Sequence, residues 1–126
     1  MLARWSAAVF MIVAGAVHLI DPWVYLPVMP AVLPMPLFWI VFTGVAEIAG
    51  GVGLLIPRLR RAAAWCLIAM LVVFLWVHVD LLLRPAGAPP PALAGVTLHP
   101  WILWLRLPLQ GIFIFWIARA GLRRVA

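Results

Sequence analysis

Charge is scarce in this 126-residue chain, and cysteine is scarcer. Only 10% of residues are charged against 68% hydrophobic, and the mean hydropathy is +1.22. So little polar character excludes a soluble globular domain, which needs far more polar surface to stay in solution. Cys66 is the sole cysteine, which excludes an internal disulfide and CxxC dithiol chemistry within one chain. It is expected as a buried packing residue. Acids are limited to Asp21, Glu47 and Asp80, and all nine basic residues are arginine. These arginines punctuate long apolar runs instead of sharing a polar face, so the basic balance does not indicate a nucleic-acid partner. It fits anchoring in a bilayer.

What is present is apolar length. Four stretches approach the ~20 residues that cross the hydrocarbon core as a helix: about 2–20, 37–56, 62–83 and 101–118. The expected architecture is all-α, a single integral membrane four-helix bundle over residues 1–126. Pro22, Pro27, Pro30, Pro34 and Pro36 preclude a continuous helix between the first two spans. The short connector PRLRR joins the second to the third, and a second breaker-rich loop precedes the fourth. Arg4, Arg58, Arg60, Arg61, Arg119, Arg123 and Arg124 fall on one side, and only Arg84 on the other. The positive-inside rule then places both termini in the cytoplasm, in a cell (inner) membrane. Trp23, Tyr25, Trp39 and Trp101 mark the outer ends of spans, and Trp5 and Trp65 the inner ends. Arg4, the run after it and Ala14-Gly15-Ala16 also imitate a cleavable signal peptide, which would leave three spans with the same inside loop.

Ionisable groups inside a span cost several kcal/mol unless they face the bundle interior and find partners. His18, Glu47, His78, Asp80 and Arg106 are such groups, with Gln110 as a neutral companion. At 1.5 Å per residue, Glu47 lies about 15 Å into its span, and Arg106 and His78 each about 8 Å from the outer end. All of them therefore belong to the outer half or the midplane, and His18, Glu47, His78, Arg106 and Gln110 together form the candidate ligand-binding site. Arg106 and Gln110, four apart, stack on one helix face. Pro108 between them cannot donate to the Trp104 carbonyl and is expected to kink the span. Gly44 and Gly51 share a face with Glu47, and Gly15 precedes His18 by three residues, so close helix approach is expected there. Asp80 and Arg84 have the spacing of a local ion pair. Glu47 and Arg106 have a purely structural reading as a buried ion pair that sets register, beside a functional one in head-group binding or proton movement. The histidines divide between internal hydrogen bonding and ligand binding. Haem ligation by the two lacks a confirming motif, and no metal site is expected.

GVAEIAGGVGLLIPRLRRAAAW (44–65), G-x-x-H at Gly15–His18 with Pro22, Tyr25, Pro30, Leu33 and Pro34, and RLPLQ (106–110) resemble the motifs of the DoxX-like membrane proteins. In the third span the family's Phe-Pro-Ala-Asn is replaced by Val73-Phe74-Leu75-Trp76. The resemblance implies a bacterial four-helix membrane protein with a retained first span. Its relatives include a membrane subunit of a thiosulfate:quinone oxidoreductase. The expectation is a quinone-interacting or redox-associated membrane subunit. The chain shows no flavin fingerprint or haem attachment motif, so bound quinone is the one cofactor expected and a redox partner protein would carry electrons. Self-association is left open. Two other classes compete: a non-catalytic scaffold or assembly protein, and a small-solute exporter coupled to protons through a buried glutamate.

Overall fold

The computed structural model describes residues 1–85, 92–93 and 96–123. It is helical almost throughout. Helix α1 covers Leu2–Ile20, α2 Pro36–Leu55, α3 Arg60–Leu82 and α4 Pro100–Gly121. All four are long and apolar enough to span a membrane. Each agrees with its expected stretch to within a few residues, because apolar runs bounded by proline or arginine leave little freedom in where a helix begins and ends.

The first proline-rich segment is not irregular along its whole length. Pro22–Val28 forms a 3-10 helix with Pro27 inside it. Three-residue turns tolerate proline because the helix is short and few N–H groups need an internal acceptor. The chain then enters α2 through Met35, whose φ of 53° is left-handed, with Pro36 as the first helical residue. In the second loop, β1 (Ala92–Leu93) pairs antiparallel with β2 (Val96–Thr97), Ala92 opposite Thr97 and Leu93 opposite Val96.

The helices pack in a ring, α1 against α2, α2 against α3, α3 against α4 and α4 back against α1. Two apolar clusters lie at opposite ends. At the end carrying the α2–α3 connector, small residues bring helices together: Ala7, Ala8, Ala64 and Ala120 pack with Leu54, Leu67 and Ile117. At the loop end, Val28, Leu81 and Leu103 form a smaller cap beneath Tyr25, Leu93 and Leu98. Arg84 fastens that cap. It donates to the carbonyl oxygens of Pro27 (2.8 Å) and Met29 (2.9 Å) and meets Asp80 at 3.5 Å. The expected local ion pair is therefore present, and Arg84 also ties the end of α3 to the 3-10 segment.

Cys66 corrects an expectation. It is exposed, because the buried positions of α3 in its first turns are Ala64, Leu67 and Leu71 and Cys66 falls outside that face.

Candidate functional site

Between the two apolar clusters lies a cavity of about 530 Å³. Sites for small organic molecules run from about 300 to 1,000 Å³. His18, Glu47, His78, Arg106 and Gln110 all line it, one or two from each of the four helices. The remaining wall is aromatic and aliphatic, with Phe10, Trp39, Phe74 and Phe113 prominent.

Glycine positions one side of the site. A Cβ on Gly15 would collide with the Gly44 carbonyl, and one on Gly44 would come within 2.7 Å of the His18 Cβ. Two bare backbones let α1 and α2 touch, and that contact brings His18 to Glu47. The His18 Nδ1 stands 3.1 Å from Glu47 Oε2. Its hydrogen bond, however, goes to the Ala14 carbonyl oxygen at 2.9 Å, and Oε2 is buried without a hydrogen-bond partner.

His78 repeats the pattern on α3, with Nδ1 2.7 Å from the Phe74 carbonyl oxygen. A carbonyl only accepts, so Nδ1 carries the proton in both rings. In the neutral imidazole, Nε2 then keeps its lone pair. These bonds settle the tautomer of each histidine and leave each with one acceptor. The internal hydrogen bond expected for the histidines is therefore present in both, and both rings also line the cavity.

The ion pair expected between Glu47 and Arg106 is not formed. Among the described residues no carboxylate lies within ion-pair distance of Arg106, and the group facing Glu47 is His18. The reason is the glycine contact, which aims Glu47 along α1 while Arg106 lines the cavity from α4. Gln110 is partly committed elsewhere: its amide N–H donates to the Leu71 carbonyl oxygen at 2.8 Å, a bond that joins α4 to α3. Helix α4 continues across Pro108, which cannot donate to the Trp104 carbonyl.

Tyr25 joins the site, a part that its sequence context does not show. Its ring stacks on His18 with centroids 4.1 Å apart and 10° between planes, and it lines the cavity. Burial holds its phenol above the usual value; the negative charge of Glu47 adds to this and Arg106 opposes it. One signal was available, since it is the only tyrosine in the chain and follows His18 by seven residues. The remaining signal is three-dimensional, because the 3-10 turn folds Tyr25 back over α1.

The arrangement is an apolar chamber with separated polar groups, an arginine without a carboxylate partner on one helix and a carboxylate beside an imidazole on others. No cluster of three or more metal-ligating side chains occurs among the described residues. These features define a four-helix bundle of membrane-spanning length enclosing a ligand-sized cavity. Residues 7–121 match the family described as Domain of unknown function (DUF8561), and the chain belongs to that family. No curated protein and no solved structure matches it.

Proposed function

We propose that this is a multi-pass protein of the cell inner membrane, with both termini cytoplasmic, that binds a quinone-type molecule in its cavity as the membrane subunit of a redox assembly. Membrane insertion is supported by the four apolar helices and by how little of each is buried within the bundle, between 17% and 39% of its most apolar window. An apolar surface of that extent is untenable in water. Orientation is supported by the seven arginines at the termini and connector against Arg84 on the loops. The resemblance to DoxX-like proteins supports the redox association.

The observation that carries the ligand is the cavity's unmet polar groups. Among the described residues Arg106 faces it without a carboxylate, and Glu47 Oε2 is buried without a hydrogen bond. Two kinds of group are thus available. Arg106 and the Tyr25 hydroxyl donate, which suits a quinone carbonyl. The Nε2 atoms of His18 and His78 accept, which suits the hydroxyls of the reduced form. Reduction of a quinone takes two electrons and two protons. The electrons come from the partner, and His18 with its neighbour Glu47 is placed to pass protons.

The test is mass spectrometry of small molecules extracted from mildly purified protein, wild type beside Glu47→Gln and Arg106→Ala. A quinone carried by the wild type and depleted in both variants is the expected result. Equal or empty extracts from well-folded proteins would overturn it. They would leave a polar cluster that only holds register and a non-catalytic assembly role.

A further inference from the structure

The four seams of the ring are not closed alike. Gly15 against Gly44 closes α1–α2 beside the cavity, and the Gln110–Leu71 bond closes α3–α4. Phe10 stacked on Phe113 at 5.1 Å, with Trp116 beside it, closes α1–α4. The α2–α3 seam is tight only near the connector. A Cβ on Gly53 would stand 2.7 Å from the Ala63 Cβ, and one on Gly50 would meet the Leu67 side chain.

Helical spacing carries the same seam outward. Gly50, Thr43 and Trp39 on α2 are seven and four residues apart; Ala63, Met70 and Val77 on α3 are seven apart. Along this outer part Thr43, Trp39, Val73 and Val77 are walls of the cavity. Trp39 and Val73 are at the same time exposed on the outside of the bundle, Val73 at 60%. Phe10 and Leu109 also line the cavity and are exposed, but the Phe10–Phe113 stack bridges α1 and α4 there, whereas among the described residues no aromatic pair or side-chain hydrogen bond bridges α2 and α3, so the opening lies at that seam.

We infer that the cavity opens sideways into the bilayer through the outer half of the α2–α3 seam, and that a hydrocarbon tail of a lipid-borne ligand lies in that opening. The inference rests on the reading that the helices span a membrane; it does not depend on the head group being a quinone. The chemistry of the walls favours a tail. Val73, Val77 and Phe74 are apolar, the Trp39 indole N–H donates to the Pro34 carbonyl, and the Thr43 hydroxyl donates to its own helix at the Trp39 and Ile40 carbonyls. An amphiphile entering here puts its head at Arg106 and Glu47 and leaves its tail in lipid, so it never crosses water.

The experiment uses the full chain reconstituted in phosphatidylcholine vesicles in which some acyl chains carry a photoreactive diazirine, with labelled positions mapped by peptide mass spectrometry. Ile40 is the reporter, because it lines the cavity but is only 2% exposed. The expected result is labelling of Ile40 and Thr43 alongside the outward-facing Val45 and Val72, with Ile40 labelling lost in Val73→Trp. Thr43→Trp, which narrows the opening from the other helix, is expected to do the same. Labelling of Val45 and Val72 without Ile40 in the wild type would overturn the inference. So would Ile40 labelling that survives both tryptophan variants, since lipid would then enter elsewhere. Absence of label from Val73 as well would show the seam covered by a second copy, and would also overturn it. A quinone missing from extracts alongside a labelled Ile40 would count against the proposed head group and leave the opening intact.

Discussion

The connector half and the loop half of this bundle are built from the same four helices, yet one is solid and the other hollow. In the connector half, alanine and glycine face each other. Ala7, Ala8, Ala64 and Leu54 are fully buried, and Gly121 sits so close to Ala64 that a Cβ has no room. In the loop half the facing positions are Phe10, Trp39, Phe74 and Phe113, with five ionisable side chains among them. On the proposed reading that these helices span a bilayer, whose tails are as apolar as leucine, they gain little from burying leucine and much from close backbone approach. Small residues allow that approach. Bulky and polar ones hold helices apart, and the space between them is the cavity.

The contrast can be broken most forcefully at Gly121. Gly121→Leu drives a side chain into Ala64 and Leu54, and should cost about 3 kcal/mol or more, read as a lower melting temperature in detergent. Gln110→Leu removes the bond to Leu71 that closes α3–α4 beside the cavity; a loss of about 1 kcal/mol is expected by the same assay. Gly111 lies on the same helix as Gly121 with nothing within 4 Å of where a Cβ would stand. Gly111→Ala should therefore stabilise, by about 0.5–1 kcal/mol, through helix propensity alone. A destabilising Gly111→Ala would mean that this face is packed against something.

Tyr25 sharpens the electrostatic side of the comparison. As the only tyrosine, it can be followed by phenolate absorbance. Its pKa is raised in the folded protein by burial, then by Glu47. The folded state thus keeps the phenol proton to higher pH than the unfolded chain does. The stability this contributes is fully present below the unfolded value of about 10 and is lost as pH rises through the folded value. Glu47→Gln should lower the titration midpoint and Arg106→Gln should raise it. Midpoints that ignore both changes would separate Tyr25 from the polar cluster. The smallest effect is expected at Cys66: Cys66→Ser should change stability by less than about 0.5 kcal/mol, because the exposed side chain fills no core position.

Much of this was readable along the chain. The span boundaries follow from apolar length and from proline and arginine punctuation, as at Pro36 and Arg60. The Asp80–Arg84 pair follows from i,i+4 spacing on one helix. The gathering of His18, Glu47, His78, Arg106 and Gln110 at one level follows from the rise per residue. The errors arose where a position depends on which helix stands opposite. Pairing Glu47 with Arg106 matched charge to charge, but the Gly15–Gly44 contact decides the neighbour, and it selects His18. Residue type places Cys66 in the core, whereas its place around the α3 axis turns it outward. Local sequence shows Tyr25 only as an interfacial aromatic, because nothing local reveals the 3-10 turn folding over α1.

By itself the sequence determined the number of long apolar helices, their ends and the level of each polar group along its helix. These depend on length, hydropathy and a constant rise per residue, all measured along one chain. The tertiary structure alone decided which groups face each other, which tautomer each histidine holds and which seam stays open. Those depend on the rotation of each helix about its axis and on a few close backbone contacts, quantities that periodicity within one helix does not contain.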